Sequence, residues 1–106
     1  MMQEPAWSWP VKVQVPADGG VYVEQRFSAR FRLTPAQQAG ALLLEDPSGR
    51  ALIRHALVGW SEVVDDAGKE VAFSAEAAEL MLGIPYVFTA LAASYSDSVA
   101  GAPRKN

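Results

Sequence analysis

Chemistry at neutral pH needs a side chain that can move a proton, attack a carbon or hold a metal, and these 106 residues offer few. The single histidine, His55, follows Arg54 in a segment of helical spacing. A serine–histidine–carboxylate arrangement around it stays open on sequence alone, but no G-x-S-x-G elbow presents a strained nucleophile. The competing reading sets His55 on or just beneath a helix surface. There is no cysteine, which removes thiolate nucleophiles, thiolate metal sites and disulfides together and fits a reducing compartment. Asp65, Asp66 and Glu70 are oxygen ligands of the kind calcium or magnesium takes, yet their spacing lacks the alternation, central glycine and terminal glutamate of an EF-hand. They read as the acids of a turn. Gly19 and Gly20 lack the lysine and the following helix of a phosphate loop. No catalytic residue, metal or cofactor is expected.

Binding chemistry is better represented. Lys12, Arg26, Arg30 and Arg32 fall on one side of segments that alternate polar and apolar residues. Such a basic face is either solvated, or meets an acidic protein surface, or meets phosphates. Stacking aromatics are missing there apart from Tyr22, so nucleic acid is not the expected partner. Trp7, Trp9, Tyr86, Phe88 and Tyr95 supply enough aromatic area for a core and a binding patch together, and Phe88 is the one expected to stay exposed. The residues expected to meet a protein partner are Arg26, Arg30, Arg32, Trp60, Tyr86 and Phe88.

These side chains need elements to carry them. In WPVKVQVP at residues 9–16, Trp9, Val11, Val13 and Val15 alternate with Lys12 and Gln14, the period of a half-buried strand. Pro10 and Pro16 lack a ladder donor, which predicts a short strand at a sheet edge. ADGG at residues 17–20 supplies a reversal. Alternation resumes from Val21 to Leu33, with Val21, Val23, Phe27, Ala29, Phe31 and Leu33 inward, over a length that predicts a bend or bulge. TPAQ at residues 34–37 has the form of a helix start, with Thr34 as cap and Pro35 in the first turn. That helix should run to about Glu45, where DPSG at residues 46–49 breaks it. Leu52, Ile53, Ala56, Leu57 and Trp60 recur at helical spacing, so a second helix is predicted from about Arg50 to Val58. DDAG at residues 65–68 reads as the centre of a small hairpin or structured loop. Ser74 should cap a third helix that turns Ala77, Leu80 and Met81 to one face, with Gly83 ending it. Pro85 should open a fourth, with Ile84, Val87, Leu91, Tyr95 and Val99 as its apolar stripe and Gly101 as its stop.

The whole predicts an α+β fold in one domain, 1–106. It has an N-terminal antiparallel hairpin at about 9–33, then a bundle of about four helices over 34–100 with the short hairpin or loop between the second and third, and a loose tail at 101–106. Half the residues are apolar and a fifth charged, so a core can form at this size without staples. Charge is uneven: residues 1–33 carry +1, 34–57 carry 0, 58–100 carry -6 and 101–106 carry +2, within a net charge of -3. No apolar run is long enough to span a bilayer and residues 1–10 lack the pattern of a signal peptide, so no membrane partner and a cytoplasmic place are expected.

The order of the pieces carries a resemblance. A Trp-led strand, a Gly-Gly hairpin and the return strand FSARFRL at residues 27–33 precede a helix. VGWSEVVD at residues 58–65, VAFS at 71–74 and LGIPYV at 82–87 then follow. This resembles the tail assembly chaperones of siphophages and related prophages over almost the whole chain, through motifs that are structural punctuation and not catalytic signatures. The resemblance implies a non-enzymatic protein of the host bacterial cytoplasm. It would bind the hydrophobic tape measure protein, keep it soluble, help recruit tail tube protein and leave before the virion matures. Self-association is a further expectation. The family often makes a longer product by ribosomal frameshifting, and Arg104, Lys105 and Asn106 can be encoded by a slippery run, which the nucleotide sequence would decide. The alternative is a structural tail or head-completion protein retained in the virion.

Overall fold

A computed structural model of the chain describes residues 5–100; Gly101 and the tail predicted at 101–106 lie outside them. The elements are β1 (Ala6–Ala17), β2 (Val21–Arg32), α1 (Ala36–Glu45), α2 (Arg50–Ala56), β3 (Leu57–Ser61), α3 (Ala75–Leu82) and α4 (Pro85–Val99). They form an antiparallel sheet in the order β1-β2-β3 with four helices, the α+β arrangement expected.

Gly19 and Gly20 take φ of 88° and 76°, values that residues with a Cβ rarely adopt. The tight reversal they make pairs Ala17 with Val21, and the register runs unbroken to Ala6 opposite Arg32. β1 lies at an edge as predicted but is 12 residues long, a correction to the short strand that its prolines suggested. The reason lies in the phase of the ladder. Leu33 N–H donates to Pro5 C=O at 3.0 Å in the same register, so odd-numbered residues exchange backbone bonds across the hairpin and even-numbered ones point their N–H outward. Pro10 and Pro16 both occupy outward positions, where no ladder donor is lost.

The same parity sorts the side chains. Val11, Val13, Phe27, Ala29 and Phe31 are buried on one face, while Lys12, Glu24, Arg26 and Arg30 are exposed on the other. Val21, Val23 and Leu33 were expected inward but are exposed. Val21 and Val23 share the parity of the core but lie at the turn end of β2, and Leu33, just past the other end, opens onto a cleft between helices. The expected irregularity of β2 takes the form of a slip against β3. Arg30 pairs with Gly59 but Phe31 pairs with Leu57, which leaves Val58 as the extra residue of a bulge.

β3 itself corrects the second helix, which stops at Ala56. Trp60 therefore sits on a strand opposite Ala29 and not on a helix. Its Nε1 donates to Val71 C=O at 2.8 Å and its ring meets Phe73 edge-on at 4.9 Å, tying residues 62–74 beneath the sheet. That segment is the predicted structured loop: Asp65 Oδ1 accepts from the N–H groups of Ala67 and Lys69, and Val64 bridges Glu70.

Thr34 does not cap α1, a further correction. Pro35 is the N-cap, without a side-chain bond, and the Thr34 hydroxyl is turned to His55. Ser74 does cap α3, accepting from Ala77 N–H at 3.0 Å. α3 buries Ala78 and Leu82; of the predicted face, Ala77 and Met81 are half-buried, with Met81 packed against the core, while Leu80 is 71% exposed. α4 begins with Pro85 in its first turn and buries Val87, Ala90, Leu91, Ser94 and Tyr95, with Val99 exposed at its end. It lies across β1, and Tyr95 meets Phe31 edge-on with centroids 5.3 Å apart. No single helix among the described residues is long and apolar enough to cross a membrane; α3 and α4 together meet that measure only across a 104° bend.

Phe31 is fully buried where β2, the α2–β3 junction and α4 converge. Phe31→Ala should lower unfolding stability by about 3–5 kcal/mol, read as a fall in the urea midpoint at unchanged slope.

Candidate protein-binding surfaces

α1 is the least anchored element. Its sequence holds Leu42, Leu43 and Leu44 in succession, yet none of its residues is buried, and Leu44 is 86% exposed. Its contacts run chiefly to α2, so its apolar side faces α4 across a gap. The result is an open cleft of about 490 Å³ whose walls include Leu33, Ala39, Leu43, Leu52, Phe88 and Val99. The walls are predominantly apolar. Gly49 sits in it with φ of 86°, and a Cβ there would meet Leu43 and Phe88 at 3.9–4.0 Å.

The turn from α1 into α2 is built by polar bonds. Asp46 Oδ1 accepts from the Ser48 hydroxyl at 2.7 Å and the Ser48 N–H at 3.2 Å, while Oδ2 accepts from Ala51 N–H at 3.1 Å. These bonds, the Ser48 hydroxyl first among them, hold the Asp46 carboxyl below its ordinary range. Arg50 then joins three helices: its Nε donates to Leu82 C=O at 3.1 Å and its guanidinium lies 4.6 Å over the Phe88 ring. Arg54 forks onto Glu79 of α3 and its hydrogen bonds lower the Glu79 carboxyl. Both side chains are about half exposed, so the pair sets position more than stability.

His55 is absorbed by structure. Its Nδ1 lies 3.1 Å from the Thr34 hydroxyl and its Nε2 3.2 Å from the Gln38 amide, so both ring nitrogens are engaged in tying α1 and its leading linker to α2. Neither partner is a serine or a carboxylate. Among the described residues no group of three or more His, Asp or Glu side chains is placed to hold a metal.

The six residues expected to bind a partner do not form one site. Arg26 and Arg30 share the outer face of the sheet, where Arg26 pairs with Glu24 at 2.6 Å and Arg30 reaches Ser8 Oγ at 3.3 Å. The Arg26 hydrogen bond lowers the Glu24 carboxyl. Arg32 is half-buried and donates to His55 C=O at 2.8 Å, closing the end of α2. Trp60 is the half-buried clamp described above. Phe88, expected to be exposed, is half-buried in the first cleft under Arg50, while Tyr86 lines a second cleft of about 530 Å³ with Val15, Phe27, Val63 and Met81. Sequence reasoning missed Leu33, Leu43 and Leu52. The available signal for Leu43 was the leucine run on a helix otherwise made of alanine, glutamine, glycine and a final glutamate.

No protein-family model, curated protein or solved structure matches the chain.

A carboxyl whose folded pKa lies below its unfolded one contributes stability that is full above the unfolded value and is lost as pH falls through the folded one. Asp46→Ala should therefore lower Tm at pH 7, and the difference from the parent should close as pH falls below about 4, as read by thermal unfolding across that range.

Proposed function

We propose that this chain is a non-enzymatic assembly chaperone of a phage or prophage tail. In this reading it holds an apolar helical segment of the tape measure protein and helps bring tail tube protein to it. The observation that carries the reading is the cleft between α1 and α4. A helix with three successive leucines and no buried residue lies open against Phe88 and Val99. An apolar groove between helices takes an amphipathic partner helix through side chains at i, i+3, i+4 and i+7. A client rich in such helices aggregates when they are uncovered, and a binder with a shallow, open groove can cover them and still release them. The segment order quoted above is the second support, and the acid-rich surface after β3 would keep a loaded complex soluble.

The experiment is co-expression with a tape measure protein encoded in the same genome, followed by a soluble pull-down. The expected result is a client that is soluble and co-purifies only when this chain is present. Leu43→Glu and Phe88→Glu should each abolish co-purification while leaving the chain folded by circular dichroism. A client that stays insoluble and unbound with the parent chain would end the reading. Recovery of this chain from purified mature particles would instead favour a structural virion component.

A further inference from the structure

None of the residues that line the cleft between α1 and α4 carries a charge, yet one of its walls is in contact with an ion. The Arg50 guanidinium lies 4.6 Å over the centre of the Phe88 ring. Arg50 is half-buried, and among the described residues its side chain makes one hydrogen bond, from Nε to Leu82 C=O at 3.1 Å. The N–H donors of both Nη atoms have no acceptor among those residues. Asp46 and Glu79 are near enough to feel its charge, but their oxygens are taken, those of Asp46 by Ser48 and Ala51 and those of Glu79 by Arg54. The other described arginines are used differently. Arg26 and Arg54 hold acids, and Arg30 donates from both Nη atoms to Ser8 and Ala6. Arg32 also uses Nε alone, on His55 C=O, but it is Arg50 that lies over an aromatic wall of the cleft.

A guanidinium held by one Nε bond and one aromatic face still presents the outer edge of its planar fork, and that edge matches the two oxygens of a carboxylate. The bond and the stack fix the side chain beforehand, so little rotamer freedom is left to lose when an acid arrives. We infer that Arg50 is a specificity-determining residue of this cleft and takes a side-chain carboxylate carried by the helix that occupies it. The spacing follows from the 4.6 Å between guanidinium and ring. An apolar side chain against Phe88 and an acid against Arg50 sit about one helical turn apart on the occupant, with about 5–6 Å between their Cβ atoms. The inference rests on the reading of the cleft as a groove for an amphipathic helix and adds a charge to it. Among apolar helices, the cleft prefers those with an acid one turn from the buried stripe over those with an amide there, and a lysine at that position meets Arg50 with like charge.

Fluorescence anisotropy with labelled peptides and the full chain tests it. The peptides are capped at both ends, about five turns long, and carry leucine at i, i+3, i+4 and i+7 on a background of alanine and glutamine. They differ only in the residue placed one turn before and one turn after the leucines, which is glutamate, glutamine or lysine, so the direction in which the helix lies does not matter. At low salt the glutamate peptide should bind about three- to tenfold more tightly than the glutamine peptide, and the lysine peptide more weakly than either. In Arg50→Gln the ratio of glutamate to glutamine affinities should fall to about one; whatever that substitution does to the cleft itself acts on both peptides and cancels from the ratio. Lys69→Gln, in the loop at 62–74, should leave the ratio as in the parent. Three peptides that bind the parent equally, or a glutamate preference that survives Arg50→Gln, would overturn the inference and leave the groove standing. A parent that binds none of the peptides would overturn the inference and the groove together.

Discussion

Gly19 and Gly20 close a turn in which Ala17 meets Val21, and from that point each backbone bond of the hairpin is fixed down to Ala6 opposite Arg32. A slip of one residue would carry either Val11 and Val13 of β1 or Phe27, Ala29 and Phe31 of β2 from the helix-covered face to water, and bring Lys12, or Arg26 and Arg30, into their place. Each buried aliphatic or aromatic side chain lost in this way costs about 1.5–3 kcal/mol, and placing unpaired cations against α4 costs more again. The same phase decides that Pro10 and Pro16 are harmless and that the donors of Glu24 and Arg26 face outward. Turn geometry thus sets the core, the charged face and the character of both edges in one step.

What is laid on that sheet is held to very different degrees. α4 crosses β1 with Leu91 fully buried and Tyr95 against Phe31. α3 is fixed at its start by Ser74, along its length by the Arg54 fork and at its end by the bond from Arg50 to Leu82 C=O. α1 has polar ties through Gln38, His55 and the Asp46 turn, and none of its residues is fully buried. Regions with few buried apolar contacts open at lower free energy than the core. A groove with one wall on such a helix can widen or close around an occupant while the sheet and α4 keep their packing.

Much of this frame was legible in the residues, because the signals were local. Alternation between Trp9 and Leu33, glycines at a reversal, serine before α3 and proline at the start of α4 each act within a few positions of themselves. β3 was not legible, since Leu52, Ile53, Ala56, Leu57 and Trp60 fit a helical stripe as well as they fit a helix followed by a strand. The choice is made by Ala29 and Arg30, some thirty residues earlier. Thr34 carried a cap signature that His55 outbid through a contact across 21 residues. The face of α3 turned on where α2 and α4 lie, which no local period reports. The candidate site was the least legible part. Its walls come from the end of β2, from α1, α2 and α4, and each contributes one or two apolar residues that look like ordinary core. Phe88 was wrongly set in open solvent, because Arg50, 38 positions away, lies over its ring.

A single open, apolar groove with one loosely tied wall bears on how the proposed chaperone would hold a long client. Such a groove binds weakly, which suits release but not retention. A client with repeated amphipathic helices would offer several equivalent segments, each covered by a separate copy of the chain. Coverage would then follow the concentration of the chain, and release would need only that each copy leave its own segment. In the proposed reading, weak grooves supplied in excess would reconcile keeping an aggregating client covered with yielding it to its next partner.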